Sequence, residues 1–471
     1  MLRVLTQLRS FWLFGASVLL TKSMSLVTIP LTTGRLSPSD YGRLELVASI
    51  VEAFGIVMTL GLADSLFRFG GGEPAPKQRG VIAGLTGMAL TLALAAGAAL
   101  QVAVWTLAPR LGLSTIVVPL SIGLFAATLS GLIELPLAWL RLRGRAGAFL
   151  LFTCSRTLIQ VAVMAVTLRA GFGIVGLLAG NASVDAMIAA TLLTLQIRDC
   201  GIRFDRATFA RAGRYGLPLI GGALSMFVLG SCDRWFLAGV VAPSELGFYG
   251  LAAKLSAITI LAMQPFGLWW YAQRIGYLKK DGGLEASARA IGVGMILLAA
   301  GAAATCIGAP LLVYGLLPSA YRAALPFLPW LVLAVSLNEL CSLLNVGAYA
   351  RSTGYQVLAV NTCGAAVALT GYILLTPTHG VWGAIAATIA AHCVRLTLYL
   401  VVGRSAAPIP YPLGLAGILF ALVVALVLGM REASGAATSV FLVAAAAVAL
   451  GYMIWRVAGR EVVAVLRERP A

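Results

Sequence analysis

The chain has 471 residues, 60% of them hydrophobic and 11% charged, with 34 Lys and Arg against 17 Asp and Glu. Soluble domains are nearer half apolar and a quarter charged, so that class is excluded. The net charge of +17 would suit nucleic acid, but the cations gather in short connectors between apolar runs, a pattern set by membrane topology.

Fourteen apolar runs follow one another, near 11–30, 43–66, 81–109, 115–139, 148–169, 174–197, 215–240, 246–272, 288–317, 325–347, 356–376, 380–403, 412–430 and 438–458. Runs of about 20 apolar residues cross a hydrocarbon core about 30 Å thick. A transmembrane barrel would show alternating ten-residue segments, which are absent from the sequence. The start, "MLRVLTQLRS", has the basic head of a secretory signal. No small-residue cleavage site follows, and Lys22 interrupts the apolar run, so the segment reads as a retained first helix. The fold class expected is an all-α polytopic membrane protein of about 14 transmembrane helices.

With the N-terminus in the cytoplasm, the inner segments hold 23 Lys and Arg and the outer loops 6. This asymmetry predicts both termini inside and a basic inner rim facing an anionic leaflet. Seven cysteines are scattered without a CxxC pair, and His379 and His392 are too far apart to share a metal on one helix. No metal, no cofactor and no nucleic-acid partner is expected.

The stretch "SPSDYGRLE" (37–45) is echoed by "APSELGFYG" (242–250), and "GFGIVGLLAG" (171–180) by "THGVWGAIAA" (378–387). The offsets, 205 and 207 residues, are nearly equal and span six helices. The expected organisation is a six-helix lobe over 1–197 and a basic cytoplasmic linker over 198–214. A second six-helix lobe follows over 215–404, with two extra helices and a basic tail over 405–471. Six is even, so the lobes form a parallel repeat, and in such transporters substrate sites lie where the repeats meet. The linker, "RDCGIRFDRATFARAGR", holds five Arg and two Asp and reads as an amphipathic segment on the inner surface.

"RYGLPLIGGALSMFVLGSCDRWFLAGVVAPSELGFYGLAAKLSAI" (214–258) resembles the seventh and eighth helices of bacterial polysaccharide exporters. These are the Wzx-type O-antigen flippases of the multidrug/oligosaccharidyl-lipid/polysaccharide exporter superfamily. Pro218, Asp233, Arg234, Gly247, Tyr249, Lys254 and Leu255 carry the resemblance. Residues 36–69 resemble the equivalent part of the first lobe and 379–390 the twelfth helix, so the likeness covers about residues 10 to 405. It implies transfer of undecaprenyl-pyrophosphate-linked oligosaccharide from the cytoplasmic to the periplasmic leaflet of the inner membrane by alternating access. The implied partners are the lipid-linked substrate, the bilayer and proteins that polymerise the glycan and set its chain length.

Charges inside a bilayer face partners or wet cavities. The first two helices of each lobe line the cleft in the resembled family, which makes Lys22, Arg234 and Lys254 candidates for the pyrophosphate. Glu52, Asp185 and Asp233 are candidates for ion coupling or for acting as counter-ions. Arg156, Arg395, Glu134 and Glu339 are candidates for ion pairs between lobes. Pro30, Pro136, Pro218 and Pro265 permit kinks. In "FGLWWYAQR" (266–274), Trp269, Trp270 and Tyr271 read first as an interfacial belt and second as a sugar platform.

A membrane glycosyltransferase or polymerase would need polar chemistry on a loop. The longest connector has about 17 residues, and neither a DxD nor a Walker A lysine is present, so no enzyme activity is expected. A lipid II flippase and a cation-coupled multidrug exporter of the same superfamily remain as rivals. The first is disfavoured by Lys22 and Glu52 where that branch carries arginines, and the second by the cationic character of the seventh and eighth helices.

Overall fold

The computed structural model describes residues 24, 26–350, 354–412, 414 and 417. Most of the first expected span, Lys22, and nearly all of the last two spans lie outside the described residues. Within them the chain forms helices joined by short turns, and no strand is present. Helical residues 26–33 lead to α1 (Pro38–Thr59), α2 (Leu62–Gly70), α3 (Ala75–Leu107), α4 (Val117–Leu142), α5 (Ala146–Arg169) and α6 (Gly173–Cys200). Then come α7 (Arg206–Gly230), α8 (Asp233–Ala238), α9 (Pro243–Ser256), α10 (Ile258–Leu278), α11 (Gly283–Leu316), α12 (Leu328–Leu344), α13 (Val346–Tyr349) and α14 (Tyr355–Ala406). Nine helical runs among the described residues are long and apolar enough to cross a membrane. The protein is an all-α, multi-pass membrane protein.

The second span is α1 plus α2, broken where Leu60 (φ 42°) and Gly61 (φ 59°) both take left-handed conformations. Leu60 is the one non-glycine residue with positive φ among the described residues, and its side chain makes that conformation costly. The 52 residues of α14 are two spans, not one. Gly380 (φ 55°, ψ −132°) reverses the chain, and the halves return antiparallel, with the Tyr372 hydroxyl 2.9 Å from that of Thr388. Its sequence counterpart Gly173 has φ 56°. The echoed glycines thus share a left-handed backbone that side chains resist.

The described residues form two compact units, the first ending at Gly247 and the second beginning at Phe248. The division falls later than the sequence repeat because α7 packs along α1, α2 and α3. The core of the first unit gathers Leu62, Leu66, Ile82, Leu85, Leu135, Trp139 and Leu192 from α2, α3, α4 and α6. The core of the second gathers Trp270, Ile291, Met295, Leu343 and Val346 from α10 to α13.

The basic linker is shorter than expected. Arg198 to Cys200 end α6, and residues from Arg206 onward already belong to α7. Asp205 is the reason: its carboxylate accepts the Ala207 and Thr208 N–H groups, each at 3.2 Å, and the Thr208 hydroxyl at 2.6 Å. A carboxylate N-cap of this kind starts a helix. The Arg203 N–H donates to the Ala83 carbonyl (3.0 Å), so the non-helical residues 201–205 are tied to α3.

Candidate functional site

The echoed motif opens α1 and α9, with Pro38 and Pro243 as their first residues. Ser37 caps α1 by accepting the Asp40 N–H (3.1 Å), while its hydroxyl donates to the Asp40 carboxylate (2.9 Å). The two glycines of the motif meet inside the first unit. A Cβ at Gly42 would strike the Pro243 carbonyl, and one at Gly247 the Pro38 carbonyl. The contact is reciprocal, as a two-fold contact between like surfaces must be. Only glycine allows backbones this close.

One turn along α1 from this crossing, three charges lie together in the interior of the first unit. Arg234 Nη1 is 2.9 Å from Asp233 Oδ1, and Arg234 Nε is 3.6 Å from Glu45 Oε2. Arg234 Nη1 also donates to the Gly230 carbonyl (3.1 Å). All three side chains are buried. The adjacent Trp235 donates its indole N–H to the Ser49 hydroxyl (3.1 Å). Burial of charges is tolerated only with such pairing. In this arrangement Arg234 is held by two carboxylates, and Asp233 serves as its counter-ion. Glu45 was not expected from sequence: next to Arg43 and the turn, it looks like part of the wet end of the helix.

Elsewhere in the same unit, Arg156 Nε of α5 is 2.7 Å from Asp185 Oδ1 of α6, and Gln160 donates to that oxygen at 2.8 Å. The expectation for Arg156 was a partner in the other lobe. The pair forms instead within one lobe, because α5 and α6 are sequence neighbours packed side by side. Glu52 on α1 and Glu134 on α4 are exposed at mid-span, where a carboxylate requires water or a partner and not lipid tails. Among the described residues, neither Glu134 nor Glu339 lies within ion-pair distance of a cation.

In the second unit Arg395 is buried in a polar nest. Its Nη1 donates to Asn338 Oδ1 (2.8 Å) and approaches His392 Nδ1 (3.0 Å), while Nε and Nη2 reach Asn361 Oδ1 at 3.2 and 2.9 Å. The Tyr399 hydroxyl donates to the same Asn361 oxygen (2.8 Å). Gly364 makes room, since a Cβ there would strike the Arg395 Cγ and Cδ. Lys254 is exposed in the last turn of α9. The expected aromatic belt divides: Trp270 is in the core, while Trp269 and Tyr271 are exposed. The reason is helical phase, since neighbours on a helix point about 100° apart. Among the described residues, no three His, Cys, Asp or Glu side chains gather as a metal site would require.

Residues 35–265 match the family model described as "Polysaccharide biosynthesis protein". No curated protein sequence matches the chain. Several solved structures share its fold. A lipid II flippase, MurJ, in an inward closed conformation superposes with a TM-score of 0.69 at 9% identity, covering 97% of this chain and 99% of that one. An inward-facing multidrug resistance MATE family transporter of the MOP superfamily gives 0.60 at 15% identity, covering 88% and 96%. A MOP superfamily transporter from Pyrococcus furiosus, described as having a binding pocket of reversed polarity, gives 0.50 at 14% identity, covering 83% and 95%. These superpositions establish the fold, and the family match bears out the resemblance to polysaccharide biosynthesis proteins over residues 35–265.

Proposed function

We propose that this chain moves undecaprenyl-pyrophosphate-linked oligosaccharide from the cytoplasmic to the periplasmic leaflet of a bacterial inner membrane. The product serves surface polysaccharide synthesis, such as O-antigen, capsule or exopolysaccharide. The observation that carries this reading is the match of residues 35–265 to polysaccharide biosynthesis proteins, on a fold shared with a lipid II flippase. Both termini lie in the cytoplasm on this reading, in keeping with the basic connectors. Partners are the polymerase and chain-length proteins that consume the flipped unit.

Substrate contact falls to the cations. Lys22 and Lys254 reach the pyrophosphate, and Arg234 joins them once its pairs with Glu45 and Asp233 open. Glu52 couples translocation to an ion, while Asp185 and Asp233 act as counter-ions to Arg156 and Arg234. Alternating access then exchanges carboxylate partners for phosphate ones, so the interior cation keeps a partner throughout.

The test is a deletion strain. Polyprenyl-linked intermediates are extracted and the complete, unpolymerised oligosaccharide is quantified. Accumulation with loss of surface polymer, rescued by wild type and not by Lys22→Ala, is expected. Normal surface polymer without accumulation would point to lipid II or a drug as the cargo.

A further inference from the structure

Arg274 lies at the last turns of α10, a cation counted above only as part of the basic inner rim. Its environment is more specific than that. The guanidinium carbon stands 5.0 Å from the ring centre of Tyr271 and 4.3 Å from that of Tyr349, at the end of α13. Its Nη1 donates to Asn345 Oδ1 at 2.7 Å, at the joint between α12 and α13. Two ring contacts and one hydrogen bond fix its plane. Among the described residues no carboxylate stands within ion-pair distance of it.

A guanidinium stacked on aromatic rings keeps in-plane N–H groups for a partner, and that fork fits two phosphate oxygens. The rings around it are open: Trp269, Tyr271 and Tyr349 are 39%, 40% and 37% exposed. Trp269 packs edge-on against Tyr277 (6.1 Å), and Lys280 Nζ stands 5.6 Å from the Tyr277 ring centre. Lys280 thus belongs to the rings of Tyr277 and Trp269, and Arg274 to those of Tyr271 and Tyr349. The basic connectors assign this end of α10 to the cytoplasmic leaflet, at the depth where aromatic rings meet lipid headgroups.

We infer that Arg274, held by Tyr271, Tyr349 and Asn345, is a docking site for the diphosphate of a polyprenyl lipid arriving from the cytoplasmic leaflet. The guanidinium fork takes oxygens from both phosphates, which the single phosphate of a phosphodiester headgroup does not offer. The inference rests on the flippase reading for the identity of the lipid, and on the local geometry for the site.

Native mass spectrometry of the full chain in phosphatidylcholine nanodiscs, titrated with undecaprenyl diphosphate, separates the two. Wild type binds the lipid, Arg274→Gln binds it about tenfold more weakly or worse, and Arg274→Lys falls between, keeping charge without the fork. Undiminished binding by Arg274→Gln overturns the site and leaves the flippase reading standing. Equal displacement by phosphatidylglycerol also overturns it, because the site would then read any anionic headgroup. If wild type itself fails to bind undecaprenyl diphosphate, the flippase reading fails, and the site with it. A thermal melt of each variant in the same nanodiscs confirms that folded protein is compared.

Discussion

Each lobe carries a polar bridge between its fifth and sixth spans, and the two bridges are built differently. Arg156 and Asn361 stand 205 residues apart, and Asp185 and His392 stand 207 apart, matching the offsets of the echoed motifs. In the first lobe the bridge is an ion pair, Arg156 to Asp185, with the arginine side chain 32% exposed. In the second it is a nest of amides and rings around Arg395, which is 2% exposed. The repeat preserved the place and changed the chemistry. A part-exposed ion pair can open to water at small cost. A buried cation held by amides on two other helical segments cannot, so the second bridge acts as a fixed pin and the first as a contact able to exchange partners.

The largest effect expected from breaking this contrast is at Arg395. Arg395→Met removes the donor shared by Asn338 and Asn361: the part-buried Asn338 oxygen loses it, while Asn361 Oδ1 keeps the Tyr399 hydroxyl. The loss should be about 2 kcal/mol, at a penalty of about 1–3 kcal/mol for an amide left unsatisfied. A melting temperature within a degree or two of wild type in detergent would show that the nest is not a pin. Asp185→Asn should cost less, about 1 kcal/mol or below, since Arg156 is part-exposed and Gln160 stays beside it. Equal losses at the two sites would erase the distinction.

The smallest expected effect lies between the lobes, at Asp205. The Thr208 hydroxyl, then the Ala207 N–H, hold its carboxyl below the usual range. A lowered carboxyl favours the fold above the unfolded value, near pH 4, and the contribution fades as pH falls through the folded value. Melting curves of wild type and Asp205→Ala should differ at pH 7 and converge in acid. A difference as large in acid as at pH 7 would mean that the cap does not depend on ionisation.

Much of the fold was legible because glycine and apolar length are read directly. Gly173 and Gly380 matched in sequence and match in backbone, and Gly42 and Gly247 matched and meet. The sites were less legible, because charge pairing is a property of three dimensions. Asp185 showed the right type of residue without revealing Arg156 as its partner. Glu45 was hidden by its place near a polar turn. Arg274 was hidden among cations that satisfy topology, and only the rings of Tyr271 and Tyr349 set it apart. The end of the linker was obscured by a local competition, in which Asp205 starts a helix inside a run that reads as a surface strap.

The measurement that bears most directly on the central claim is translocation in proteoliposomes. Purified full chain is reconstituted with a fluorescent undecaprenyl-diphosphate oligosaccharide, and the fraction reaching the opposite leaflet is read by a membrane-impermeant quencher. The account predicts translocation faster than in protein-free vesicles, slowed in Arg274→Gln. A rate equal to that of protein-free vesicles, under an imposed ion gradient of either direction, would contradict it.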